Sequence, residues 1–240
     1  MDLQISLFVG GVLFLAYVVR GIAGFGSGLI AVPLLTLVSP VPLVVPLVVS
    51  LDYIGSASQG IRHRAHIAWK EQLLLVPFML IGIGFGLFLL RALPPAALSK
   101  ALGGFVMLYG LYQLLSLPPL RASRFFATVC GMLGGLMGTL FGTGGPFYAI
   151  YLNLRNPDKS GFRATFAANF LIDGGIRLIA YAVVGLLNRQ VLLYLFAALP
   201  VMGVGLYLGG RLHARFSQLA FLRFINLLLL VSGLMLLLKK

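Results

Sequence analysis

Apolar residues fill eight long runs separated by short polar interruptions: Leu3 to Val38, Val41 to Ile61, Leu73 to Leu90, Ala97 to Leu117, Phe125 to Leu154, Phe162 to Leu187, Val191 to Leu212 and Phe221 to Leu238. A helix rises 1.5 Å per residue and a bilayer core is roughly 30 Å thick, so apolar runs of this length predict membrane-crossing helices. Six runs suit one crossing each. The first and fifth hold 36 and 30 residues, about 45 to 54 Å as helix, too long for one span. Both are interrupted by glycine, as "GIAGFGSG" from Gly21 to Gly28 and "LFGTGG" from Leu140 to Gly145, with Pro33 and Pro146 following. Each is predicted to enter and return as a hairpin of two short helices.

Four runs followed by four more predict an internal duplication, with a first transmembrane repeat over 1–120 and a second over 121–240. A shift of 123 carries Pro77 onto Pro200, Gly82 onto Gly205, Gly86 onto Gly209, Lys100 onto Arg223 and Gly110 onto Gly233. A shift of 116 carries Phe25-Gly26-Ser27-Gly28 onto Phe141-Gly142-Thr143-Gly144. Loop charge then decides between topologies. If all eight runs are single spans, the basic residues divide eight against eight, and Arg62, Arg64 and Lys70 face away from Arg155, Lys159 and Arg163. If the first and fifth are hairpins, the division is eleven against five. The richer face then carries Arg62, Arg64, Lys70, Arg121, Arg124, Arg155, Lys159, Arg163, Arg211, Arg215 and Arg223, and the positive-inside rule places it in the cytoplasm. Each half crosses an odd number of times in that arrangement, so the halves are inverted. The expected fold is an all-α polytopic membrane protein of two inverted repeats, each a broken-helix hairpin plus three transmembrane helices, with the substrate near midplane.

Composition narrows the function classes. The 240 residues are 60% hydrophobic and 10% charged, with a mean hydropathy of +1.04, so the bilayer is the expected solvent and no sizeable soluble domain is left over. The formal net charge is +13, but the basic residues sit in short loops between apolar runs, which reads as a topology signal and not as a nucleic-acid surface. The start, "MDLQISLFVGG", lacks the basic region of a cleavable signal peptide. The single cysteine, Cys130, excludes an internal disulfide and reads as a packing residue. His63 and His66 are three apart, but no acidic or thiol partner accompanies them and basic neighbours oppose a cation. No metal or cofactor site is expected. Trp69 suits an interfacial anchor.

Backbone that leaves the helix inside a bilayer exposes polar groups, so a break there must be covered or face a cavity. After the first break, Ser27 or Gly28 is expected to cap a helix from about Leu29 to Val38; after the second, Thr143 or Gly144 caps another, with Pro146 in its first turn. Free amides at a helix start, with the positive dipole end, form an anion site. Gly26, Ser27, Gly28, Gly142, Thr143 and Gly144 are therefore candidate substrate-binding residues, whereas Gly82, Gly86, Gly205, Gly209 and Gly210 read as packing glycines. Ionisable groups inside the apolar runs add to the set. Arg177 offers a planar fork to an oxyanion, and Asn169 a neutral donor. Asp173 and Arg177, four apart on one helical face, form either a structural pair or part of the site. Arg20, which precedes the first break, joins Asp52 and Asp173 as candidates for coupling or a structural ion pair, and Asp52 carries either a coupling proton or a structural hydrogen bond.

The segments "GIAGFGSGLIAVPLL", "GLMGTLFGTGGPFYAIYL", "VPFMLIGIGFG" and "LPVMGVGLYLGG" resemble the sulfite exporter TauE/SafE family over nearly the whole chain. The resemblance implies a permease of the cytoplasmic (inner) membrane that moves small sulfur-containing or carboxylate anions such as sulfite, sulfoacetate and related organosulfonates. The expected function is a secondary transporter, in the export direction, whose partners are a small anionic substrate and the lipid bilayer. An inside-negative potential favours anion export, while uptake requires a coupling proton or sodium ion, through Asp52 or Asp173. Proton-coupled uptake is the alternative within transport, and a passive channel is a third mode. A membrane enzyme has less support, because no intramembrane Glu, paired His and Asp, or metal-ligand spacing is present.

Overall fold

A computed structural model describes residues 3–24, 26–60, 67–114, 125–155, 159–212 and 218–239. His63, His66, Phe25 and the loop residues Arg62, Arg64, Arg121, Arg124 and Arg215 lie outside the described residues. Among the described residues ten helices follow one another, in two sets of five: α1 (Leu3–Ala23), α2 (Ser27–Thr36), α3 (Val41–Gly60), α4 (Trp69–Ala92) and α5 (Pro95–Leu114), then α6 (Phe125–Phe141), α7 (Gly145–Arg155), α8 (Lys159–Val183), α9 (Arg189–Leu212) and α10 (Gln218–Leu238). The first and fifth apolar runs are each broken in two, as expected, but the arms are unequal. α1 has 21 residues and by itself is long and apolar enough to cross a membrane. Only the returning arms are short, 10 residues in α2 and 11 in α7.

The two sets interleave. α1 packs on α9 and α6 packs on α4, while α3 packs on α8 and α5 on α10. Glycines set the first two interfaces. A Cβ on Gly205 would lie 3.0 Å from the Phe14 carbonyl oxygen and 3.3 Å from the Val18 amide. Its counterpart on Gly82 would overlap the Met132 carbonyl and meet the Leu136 amide at 2.9 Å. Phe14 and Met132, like Val18 and Leu136, are related by a shift of 118, so the two interfaces set a glycine against backbone in the same register. Gly86 and Gly209 likewise admit backbone close to their partners, whereas Gly210 faces open space and is not a packing glycine. Such approaches suit membrane helices, whose association depends on close packing.

α4 serves as a ruler, since its 24 residues reach about 36 Å. At its first turn, Glu71 meets Arg155 at the end of α7 at 2.8 Å, and the Ala68 amide donates to Thr165 Oγ1 of α8 at 2.9 Å. Beyond its last turn, Pro95, Ala96 and Ser99 line a hollow with Val38, Ser39, Pro40 and Lys239, and Lys239 Nζ donates to the Thr36 carbonyl at the end of α2 at 2.9 Å. Thus α2 and α7 end at opposite ends of the bundle. Arg155 and Thr165 share one end with residues 67–71, an arrangement consistent with the hairpin count. Trp69, the first residue of α4, is 55% exposed, as an interfacial anchor should be.

Candidate functional site

The two breaks are built by glycines in the left-handed region, where any other residue is strained. Gly24 has φ 83°, Gly26 φ 98° and Gly142 φ 66°. The Gly24 amide closes α1 on the Arg20 carbonyl at 2.7 Å, and the Gly142 amide closes α6 on the Gly138 carbonyl at 2.9 Å. These bonds correct the equivalence drawn from the letters. A shift of 118 carries the end of α1 (Ala23) onto that of α6 (Phe141), Gly24 onto Gly142, and the start of α2 (Ser27) onto that of α7 (Gly145). Ser27 therefore answers to Gly145, not to Thr143.

Neither hydroxyl caps a helix. The cap of α2 is Gly26, with no side-chain bond, and Ser27 turns inward to donate to Asp52 Oδ1 at 2.6 Å. Thr143 Oγ1 reaches back to the Met137 carbonyl at 3.4 Å. Pro146 is the second residue of α7, where its missing amide costs nothing. The breaks touch: a Cβ at Gly28 would overlap the carbonyl oxygen of Gly142. From this contact α2 climbs about 15 Å to one end and α7 about 16 Å to the other, so both helix starts meet near half depth.

Two buried charge clusters flank the contact. Around Asp52 of α3, Arg20 Nη1 sits 2.7 Å from Oδ1, and Tyr17 donates to the same oxygen at 2.8 Å. Arg20 also donates to Ser27 Oγ at 2.9 Å, to the Asp52 carbonyl at 3.0 Å and to Ser56 Oγ at 2.6 Å. Around Asp173 of α8, Arg177 pairs with Oδ2 and Tyr148 of α7 donates to Oδ1 at 3.0 Å. Arg177 Nη1 also donates to the Gly138 carbonyl at 2.6 Å. The Nε groups of Arg20 and Arg177 are buried without a partner among the described residues. Two guanidinium groups and two carboxylates balance, as burial demands.

Val49, Asp52, Tyr53, Gly142, Phe170, Gly174 and Arg177 line a cavity of about 10 Å³ between α3, α8 and the second break, about the least that admits one water. The larger hollow beside Lys239 lies at the rim, away from both clusters.

The structure thus brings Gly26, Ser27, Gly28, Gly142, Arg20, Asp52, Asp173 and Arg177 into one region. Asn169 stands apart, accepting from Gln72 Nε2 of α4 at 2.7 Å. Thr165, Asn169, Asp173, Arg177 and Tyr181 recur every fourth residue of α8, and all five are buried. This stripe contacts α4 through Thr165 and Asn169, α7 through Asp173, and α6 through Arg177 and Tyr181. Sequence reasoning missed Tyr17, Tyr148 and Ser56, whose only signal is a polar tip within an apolar run, and Gln72, which reads as part of the polar interruption before the third run. It also missed Glu71, in the first turn of α4, which takes Arg155 and the Tyr151 hydroxyl. Among the described residues no group of His, Cys, Asp and Glu side chains suits a metal ion.

The family model described as "Sulfite exporter TauE/SafE" matches residues 9–236. The chain is 29% identical over 206 residues to a "Probable sulfite/organosulfonate exporter TauE" from Cupriavidus necator, covering 82% of this chain and 79% of that protein. No solved structure matches.

Proposed function

The chain belongs to the sulfite exporter TauE/SafE family, and from that premise of a multi-pass membrane transporter, not an enzyme, we propose that it exports small sulfur-containing or organic oxyanions, such as sulfite, sulfoacetate or other organosulfonates, across the cytoplasmic membrane. The observation that carries the reading is the meeting of two helix starts, α2 and α7, between two buried guanidinium groups. Helix N-termini and arginines both attract oxyanions, and here they converge near half depth from two halves of the chain. Inverted repeats are supported by the opposite destinations of α2 and α7 and by the end that Arg155 and Thr165 share with residues 67–71.

The cavity between α3, α8 and Gly142 is the proposed binding centre, closed in this state. Arg177 lines it and has an unpartnered Nε, so it is the proposed ligand arm; Gly28 and Gly142 admit backbone to the anion. Rocking of the halves separates the breaks and opens the cavity to one end at a time. Export of one anion gains about 2.3 kcal/mol per 100 mV of inside-negative potential, with no coupling ion needed.

A second reading, proton-coupled uptake, draws on the charge balance. An anion entering a region of two guanidinium groups and two carboxylates leaves one negative charge uncompensated, and a proton on Asp173 or Asp52 would cancel it. Proteoliposomes loaded with sulfite or sulfoacetate distinguish the readings. An imposed inside-negative potential should accelerate efflux severalfold; acceleration by a pH gradient alone favours coupling. Efflux no faster than from protein-free vesicles for every anion tried defeats the transport proposal.

A further inference from the structure

Gln72 and Asn169 are both buried, at 1% and 0% exposure. Their mutual bond leaves Gln72 Oε1 and Asn169 Nδ2 with no partner among the described residues. Turning both amides over only reverses the bond, so one acceptor and one donor remain open in either arrangement. Buried polar atoms are almost always satisfied, and an open acceptor and an open donor on one bonded pair of buried amides mark a place for something that both gives and takes a hydrogen bond.

The location gives that place a use. Asn169 lies one turn of α8 from Asp173, toward the end that carries Lys70 and Arg155. At this end the Ala68–Thr165 bond, the Glu71–Arg155 pair and the Gln72–Asn169 bond tie α4 of the first half to α7 and α8 of the second. A solute moving between this end and the central cavity must part those ties, and parting the last one exposes both amides to it.

We propose that Gln72 and Asn169 form a second substrate-binding station on the path between the central cavity and this basic end, fitted to oxyanions that carry a hydroxyl group. The proposal rests on the transport reading above and names its substrate class. A bare sulfonate or carboxylate oxygen only accepts; it satisfies the open amide N–H but confronts the open carbonyl oxygen lone pair to lone pair. A hydroxyl donates to one and accepts from the other, completing both. Sites that hydrogen-bond a substrate hydroxyl reject the analogue lacking it far more strongly than apolar pockets reject a change of one methylene.

The test compares 2-hydroxyethanesulfonate with ethanesulfonate, alongside sulfite, in proteoliposomes of the full chain. The wild type should move the hydroxylated sulfonate with kcat/KM at least about tenfold above its analogue. The double variant Gln72→Leu with Asn169→Leu should bring the two kcat/KM values within about twofold of each other, by loss of the hydroxylated sulfonate's advantage. The exchange variant Gln72→Asn with Asn169→Gln keeps both amides and should keep the preference, which separates recognition from folding. Equal transport of the two sulfonates by the wild type overturns the station and leaves the transport reading intact. So does sulfite transport with neither sulfonate moving, or a preference that survives in the leucine variant. Failure of all three anions to move counts against the transport reading instead.

Discussion

Asp52 and Asp173 sit in corresponding helices, α3 and α8, and a shift of 121 relates them. Each receives one arginine and one tyrosine, yet the donors come from different places. Arg20 and Tyr17 belong to α1, the long arm of the first hairpin. Arg177 belongs to α8 itself and Tyr148 to the short arm α7. The shift of 118 carries Arg20 onto Gly138, and the shift of 121 carries Ser56 onto Arg177. The small residue in each half makes room for the other solution: Arg20 donates to Ser56, and the Arg177 guanidinium lies 3.0 Å from where a Gly138 Cβ would stand. The two helices thus carry the same triad of groups with two of its members supplied from different places. The mechanical outcome differs, because Arg20 bolts α1 to α3, whereas Arg177 shares a helix with its carboxylate and can swing toward a ligand without undoing an ion pair between helices.

Five single substitutions and one double variant test that contrast. Arg20→Ala strands a buried Asp52 and removes the bolt, so it should cost about 3–5 kcal/mol of stability, read as loss of folded protein in detergent; Arg20→Gln with Asp52→Asn should recover most of it. Gly28→Ala forces backbone apart at the break contact and should cost about 1–3 kcal/mol together with most of the flux, measured by thermal unfolding and anion efflux. Arg177→Gln should weaken oxyanion affinity by about tenfold, or about 1.4 kcal/mol, with a smaller stability loss than Arg20→Ala; the reverse order of stability losses would erase the distinction between bolt and arm. Tyr148→Phe should cost about 1 kcal/mol. Tyr17→Phe should cost less, because Asp52 keeps both Ser27 and Arg20.

The eight apolar runs, the two breaks and the Asp173–Arg177 pair were legible because each is local: length, glycine content and a spacing of four residues express them directly. The Arg20–Asp52 pair was not, since 32 residues and a chain reversal separate its members. The equivalence of the breaks misled for a physical reason. Phe-Gly-Ser-Gly and Phe-Gly-Thr-Gly match as letters, but what recurs in space is the left-handed glycine that ends the long arm, Gly24 or Gly142. Letters record side chains, and this motif is made of backbone. The unequal arms escaped notice similarly, because run length reports the total of a hairpin and not where it turns.

The meeting of α2 and α7 has a mechanical side. Laid start to start, their 10 and 11 residues add to about 31 Å, close to the thickness of a bilayer core. Together they act as one composite span whose joint, at Gly28 and Gly142, is a non-covalent contact. A continuous helix answers a thicker bilayer by shedding tilt; this span can also part at its joint, so acyl-chain length becomes a load applied directly to the proposed binding centre.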